Sequence, residues 1–451
     1  MATLGIDGLS SGLDTTSIIN SLMAIEGNQQ VLLKQKQTSQ SSIVTALQSL
    51  NTKVASLAAA AKTAATPSAW DAVTAQSSAP SVTASASAGA SLSALTFTVD
   101  AVATSQSSLL TVPADLDPDD PTLTITVGDK AVAVTALTTD PRDIAAAINK
   151  ADAGVKATTI NVGTADAPSY RLQLTGTQTG TDSAFTVSYA ATGQSDPVAA
   201  TLATVRTASN SQITLFPGTD GAQQITSGTH TFAGIIPDVS LTVSAIESDP
   251  VTVDVKRDDA ALKSLASSLV TNLNLVLSEI TSRTTATTST AADGGEVVKG
   301  GLLSGDSTVR FLQQDVLTAG SATVAGASPA DFGITIGRDG TFTFDADKFA
   351  EQLAKDPAKV QEIISGVAAN VQKVADKASD SVNGSLTTRI QSGEASVKDL
   401  GTRISDWDDR LARRRETLVR IYTALEVSMS NMQATSSWLS SQIEQLNAAK
   451  S

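Results

Sequence analysis

One histidine and no cysteine among 451 residues leave little with which to build a reacting centre. His230, in GTHTFAG, could in principle join Ser and Asp in a hydrolase triad, where an imidazole takes the proton of an attacking hydroxyl. It has no Gly-x-Ser-x-Gly elbow nearby, and the alternation around it places it on a strand instead. DGTFTFDAD, from Asp339 to Asp347, collects carboxylates at calcium-loop density. It lacks the Asp-x-Asp-x-Asp-Gly order and the closing Glu, so a hairpin turn at Asp339-Gly340 followed by a helix cap is the better reading. Asp117, Asp119 and Asp120 sit in VPADLDPDDP, whose three Pro and four Asp describe an exposed, solvated loop. The missing cysteines exclude disulfide staples, thiolate metal sites and Cys nucleophiles together. We assign no catalytic, cofactor-binding or metal-binding residue, and an enzyme is not expected.

Composition narrows the remaining classes. The formal net charge is −14, which argues against a nucleic-acid or anionic-membrane partner, because both require a basic footprint. No uncharged apolar run approaches the ~20 residues that span a bilayer, so no membrane insertion is expected. The first residues lack the basic start and apolar block of a signal peptide, so the protein either stays in the cytoplasm or leaves by a route without a cleaved signal. Aromatics are only 3% of the chain, and Ala, Ser and Thr take their places, which predicts light β modules with small cores.

The C-terminus carries the strongest pattern. Ile404, Leu411, Leu418, Leu425, Met432, Leu439 and Leu446 recur at intervals of seven, with no Pro after Pro357 and no Gly after Gly401, which predicts a coiled-coil helix. Its companion line begins apolar at Leu400, Trp407 and Ile421 but also reads Arg414, Ser428, Thr435 and Gln442. Such a half-polar seam buries too little to hold an isolated pair, so we expect it to be only partly helical outside a larger assembly. Arg410, Arg413, Arg415 and Arg420 are interleaved with Asp406, Asp408, Asp409 and Glu416 and read as a solvated face. Arg414 occupies a seam position, where a charge sets register or partner choice.

The N-terminus mirrors this. After a Gly-rich start expected to be flexible, Asp14 or Thr15 can cap a helix with Ile18, Ile19, Leu22 and Ile25 on one face. KQKQTSQSS, from Lys34 to Ser42, is polar all round and reads as a weakly packed bridge, and Ile43, Leu47, Leu50, Val54, Leu57 and Ala61 then restore the heptad. Packing the two ends together buries both stripes and makes the middle an insertion. The middle alternates as β structure. TLTITVGDKAVAV predicts a hairpin turning at Gly128 and Asp129, DIAAAINKA a short helix, and VKATTINV and YRLQLTG two returning strands. From Asp258 a capped helix resumes, followed by a polar Thr/Ser/Gly tract from Thr281 to Gly301 and a helix opening behind Asp306 or Ser307.

These pieces together resemble the flagellar filament cap family, also called hook-associated protein 2. The resemblance rests on GIDGLSSGLDTTSIINSLM, on LLSGDSTVRFL, DFGITIGRDGTFTFDADKF and TALEVSMSNMQATSSWLSSQIEQL in family order, and on a hairpin-helix unit from Thr122 to Gly176 similar to a motif of flagellins. It implies an α+β multidomain chain with helical coiled-coil termini forming a stalk, a helical/β stalk-proximal domain, and inserted Ala/Ser/Thr-rich β and α+β head modules. The corresponding division is an N-terminal leg at 1–42, a stalk helix at 43–70, a first head module at 71–100 and 211–257, a second at 101–210, a stalk domain at 258–403 and a C-terminal leg at 404–451.

The resemblance also implies a homo-oligomeric plate, a pentamer by family, at the distal tip of an extracellular filament, where it promotes flagellin folding and polymerisation. Its implied partners are its own copies, flagellin, and the flagellar export apparatus with its chaperone. Host surface ligands are a further possibility, for which no residue names a chemistry. Ile18, Leu22, Ile25, Leu411, Leu418, Leu425, Met432, Leu439 and Leu446 are the expected subunit and filament contacts, with Arg414 fixing register. Two alternatives stay open: another flagellar axial or junction protein, and a surface adhesin with a coiled-coil stalk.

Overall fold

A computed structural model describes residues 12–194, 196–290 and 294–448, without the side chains of 446–448. Most of the flexible start expected above, and the side chain of Leu446, therefore lie outside the described residues. Seven α-helices are described: α1 (Thr15–Ala65), α2 (Pro141–Ala151), α3 (Asp259–Thr284), α4 (Ser307–Ser321), α5 (Ala346–Lys355), α6 (Pro357–Ser379) and α7 (Ser385–Ala448). The chain divides into two compact units, Pro67–Leu262 and the two flanking stretches together. It is a mixed α+β multidomain protein.

The inner unit is built from small β cores. Its first core gathers Phe97, Val99, Ile213, Leu241, Val253 and their neighbours between two antiparallel sheets. The larger sheet runs in the order Val73–Ser77, Glu247–Arg257, Ser93–Ala101, Ser211–Leu215, Gln223–Ser227, so strands far apart in sequence are neighbours in space. The smaller joins Thr231–Ala233, Val239–Val243 and Val82–Ala86. The second core lies between Leu110 and Ala191, where α2 contributes Ile144 and Ile148 and two four-stranded sheets supply the rest. The predicted hairpin turns at Gly128, in the left-handed region at φ +55°, with Val127 opposite Lys130. The hairpin and the two strands after α2 belong to different sheets, a division that alternation alone does not reveal.

The helical unit follows its caps. Asp14 accepts from Ser17 N at 2.8 Å, and Asp306 accepts from the amides of Thr308 and Val309, so at each ambiguous start the aspartate is the cap. Asp258 caps α3 through Ala261 N. α3 is long and apolar enough to cross a bilayer, but Leu262, Leu269, Leu273, Val276 and Ile280 are core residues here. The polar tract after it includes a fully exposed two-stranded hairpin, Thr287–Thr290 with Glu296–Lys299. Lys34 to Ser42 lies within α1, which has no break between Thr15 and Ala65.

Candidate assembly surface of the terminal helices

Helices α1 and α7 pack antiparallel. The cross-helix bonds fix the register: Gln48 Nε2 donates to Glu394, Gln37 to the Val397 carbonyl, Gln30 to Asp408, and Arg414 Nε to Glu26 at 2.9 Å. Arg414 therefore sits on the seam with a specific partner, though that ion pair is open to solvent, its side chains 49% and 38% exposed. Surface pairs of this kind contribute little energy.

The seam changes character along its length. Val44, Leu47, Leu50, Val54, Leu57, Ala61 and Ala64 are buried on the inner part of α1. Further out, the buried α1 residues are Thr15, Ile19 and Gln30. Two glycines of α7 let α1 side chains approach closely. A Cβ on Gly393 would lie 2.6 Å from Val44 Cγ2, and one on Gly401 3.1 Å from the Gln37 amide nitrogen.

On α7, Ile404 and Leu418 are buried and Leu411 is half-buried. Leu425, Met432 and Leu439 are 40%, 62% and 53% exposed. The line is thus continuous in sequence, but of its six described side chains only Ile404, Leu411 and Leu418 are covered. The helix runs to Ala448 rather than being partly formed, and no Gly or Pro follows Gly401 in it. Among the described residues, its apolar line is exposed beyond Leu418.

On α1, Ile18 is half-buried, while Leu22 and Ile25 are exposed. The line facing α7 passes instead through Ile19, Glu26, Gln30 and Gln37, about 100° round the helix from the predicted one. Hydrophobic periodicity missed it because three of these four members are polar. The apolar stripe Ile18, Leu22 and Ile25 is not the partner of α7 within the subunit.

Other sequence candidates resolve simply. His230 lies in the bend joining Gln223–Ser227 to Thr231–Ala233, not on a strand, and its carbonyl accepts from Val243 N. Asp339 accepts from the amide and hydroxyl of Thr341, which holds its carboxyl below the usual range, and Gly340 takes φ +80°. Asp345 caps α5. The carboxylates of that segment thus serve a turn and a cap. Asp117 accepts from Asp119 N and Asp120 from Thr122 Oγ1 within their own loop.

Sequence reasoning missed two buried carboxylates that tie the terminal helices to the middle ones. Glu279 on α3 accepts from Lys53 and Ser49 of α1 and from Arg283. The Lys53 bond, helped by Arg283, outweighs burial and lowers its pKa. Asp306, beyond its cap bonds, accepts from Arg389 of α7 at 2.9 Å. Neither was legible, since a single charge within an apolar pattern names no partner.

Comparison with known proteins gives this architecture its context. The family models for the flagellar hook-associated protein 2 C-terminus and N-terminus match residues 208–434 and 11–106. The chain belongs to the flagellar hook-associated protein 2 family. The flagellin hook IN motif matches residues 122–178, the hairpin-helix unit of the second core. Flagellar hook-associated protein 2 of Escherichia coli O157:H7 is 28% identical over 491 residues, spanning all of both chains. B-type flagellar hook-associated protein 2 of Pseudomonas aeruginosa is 26% identical, over 94% of this chain and 95% of its own. The crystal structure of the flagellar cap protein FliD D1-D2-D3 domains from Escherichia coli aligns with a TM-score of 0.59. It has 22% identity over 77% of this chain and 99% of that one, and supports the fold.

Proposed function

We propose that this protein is a filament-cap subunit, forming a homo-oligomeric plate at the distal tip of the flagellum and promoting flagellin folding and polymerisation. Membership of the hook-associated protein 2 family supports the location. The observation that carries the mechanism is the α7 seam, whose heptad line continues past Leu418 as a bare stripe through Leu425, Met432 and Leu439. A periodic apolar line on an exposed helix is a surface made for another helix. In this reading the termini up to residue 42 and from residue 404 are legs, 43–70 with 258–403 is the stalk, and the two β cores are head modules.

Ile18, Leu22 and Ile25 form a second, outward stripe that would meet neighbouring copies or filament subunits. Arg414 holds the legs in register meanwhile. The plate is a pentamer by family, and its subunits leave through the flagellar export apparatus, handed over by its chaperone, without a cleaved signal. No catalytic role is proposed. Deleting the gene from its own organism tests the reading: filament growth should cease while flagellin is still made and released into the medium. Normal filaments in a clean deletion strain would overturn it.

A further inference from the structure

The outer part of α1 is bound to α7 differently from the rest. From Val44 inward α1 is packed by α6 as well as by the first turns of α7, and Leu47, Leu50, Val54, Leu57 and Ala61 have no measurable exposure. From Thr15 to Gln40 the buried residues are Thr15, Ile19 and Gln30, each still 6–8% exposed. Apart from covering Ile404 and Leu418, this stretch is held by cross-helix rungs: Glu26 with Arg414, Gln30 with Asp408 and the Ile404 carbonyl, and Gln37 with the Val397 carbonyl. Water can replace a polar rung at small net cost, whereas it cannot replace an apolar contact. The change from one regime to the other falls at Gln40 and Val44, which close on Gly393 of α7.

We propose that α1 from Thr15 to Gln40 is a releasable strap. It opens from α7 as one unit, pivots at the Val44–Gly393 contact, and on opening bares Ile404, Leu411 and Leu418. Those residues continue the exposed line of Leu425, Met432 and Leu439. The closed strap thus masks the inner half of one stripe, and opening makes the stripe continuous from Ile404 to Leu439. That the stripe receives an assembly partner rests on the cap reading; the opening itself does not.

Two measurements on the full chain separate these claims. Hydrogen exchange should show the amides of 15–40 exchanging at least about tenfold faster than those of 44–64, and Gln30→Leu with Gln37→Leu should slow the outer amides while leaving the inner ones unchanged. Equal protection along the whole of α1, or one shared response to the double substitution, overturns the strap. The chain has no native cysteine, so paired cysteines can lock either half. Oxidised Gln30→Cys/Asp408→Cys should fail to cap filament ends and recover on reduction, while oxidised Gln48→Cys/Glu394→Cys on the inner half should cap throughout. Capping by the oxidised outer lock overturns the masking role. Absence of capping by the unmodified protein would count against the cap reading, and exchange would still decide the strap.

Discussion

The β unit and the terminal helices both leave large apolar side chains in solvent, but in different ways. In the β unit they are scattered: Leu92, Leu137, Val162, Val205, Phe216 and Ile246 lie on separate loops and edges. Such isolated exposure is ordinary on a protein surface. On α7 the exposed Leu425, Met432 and Leu439 share one heptad position and continue a line that is buried upstream. The amount of exposed apolar surface therefore says little, whereas its periodicity identifies a partner of the same geometry.

If the β unit is closed and self-sufficient, damage inside it should be large and stay local. Phe97→Ala removes a fully buried ring from the first β core and should cost about 3–5 kcal/mol. Calorimetry should show the β transition falling and the helical one holding; loss of both together would mean that the two units do not melt separately.

The helical unit should instead fail through its ties. Glu279→Gln should cost about 1–3 kcal/mol, since it weakens charge-assisted bonds to Lys53 and Arg283 in a buried place. Because the folded carboxyl has a lowered pKa, its contribution is present above the unfolded value, about 4.3, and is lost as pH falls through the folded one. Wild-type helical melting should therefore drop, as pH falls below the ordinary carboxylate range, more steeply than that of the Gln variant. Parallel pH profiles would remove Glu279 from the account.

Gly393→Ala should cost about 1 kcal/mol, a backbone-separating clash with Val44 partly offset by better helix propensity. Gly401→Ala should be neutral or stabilising, because the atom it meets is the far end of the flexible Gln37 side chain, which can shift by a few tenths of an ångström. Equal effects of the two substitutions in thermal melts would mean that the helices do not approach most closely at Gly393.

Where one kind of residue fills a pattern, the sequence was legible. The α7 heptad, the inner α1 heptad, the Gly128 and Gly340 turns and the aspartate caps all follow from local spacing and propensity. The α1 face was not legible, because Glu26, Gln30 and Gln37 occupy seam positions and the apolar stripe Ile18, Leu22 and Ile25 lies to one side. A hydrophobic pattern finds the driest face, and here the subunit's own contact is polar. Sheet order was hidden for a related reason: alternation gives each strand a face but no neighbour, and Ser93–Ala101 finds its two between residues 211 and 257.

The smallest effect on stability should accompany the largest effect on function. Met432→Asp with Leu439→Asp places two charges where the side chains are already more than half exposed. No packing is lost and no charge is buried, so the subunit's melting should move within about 0.5 kcal/mol. On a filament end the same positions would be covered, and each buried aspartate would cost about 2–5 kcal/mol, enough to abolish docking. Leu418→Asp is the internal contrast: that side chain is buried against the subunit's own helix, and its loss should destabilise the helical unit directly. Melting and filament growth, measured on the same variants, should therefore dissociate at 432 and 439 and move together at 418. If the double variant melts like Leu418→Asp, the outer stripe is covered within the subunit. If it still caps filaments, the stripe is not the docking surface, and the outward line of Ile18, Leu22 and Ile25 becomes the one to test.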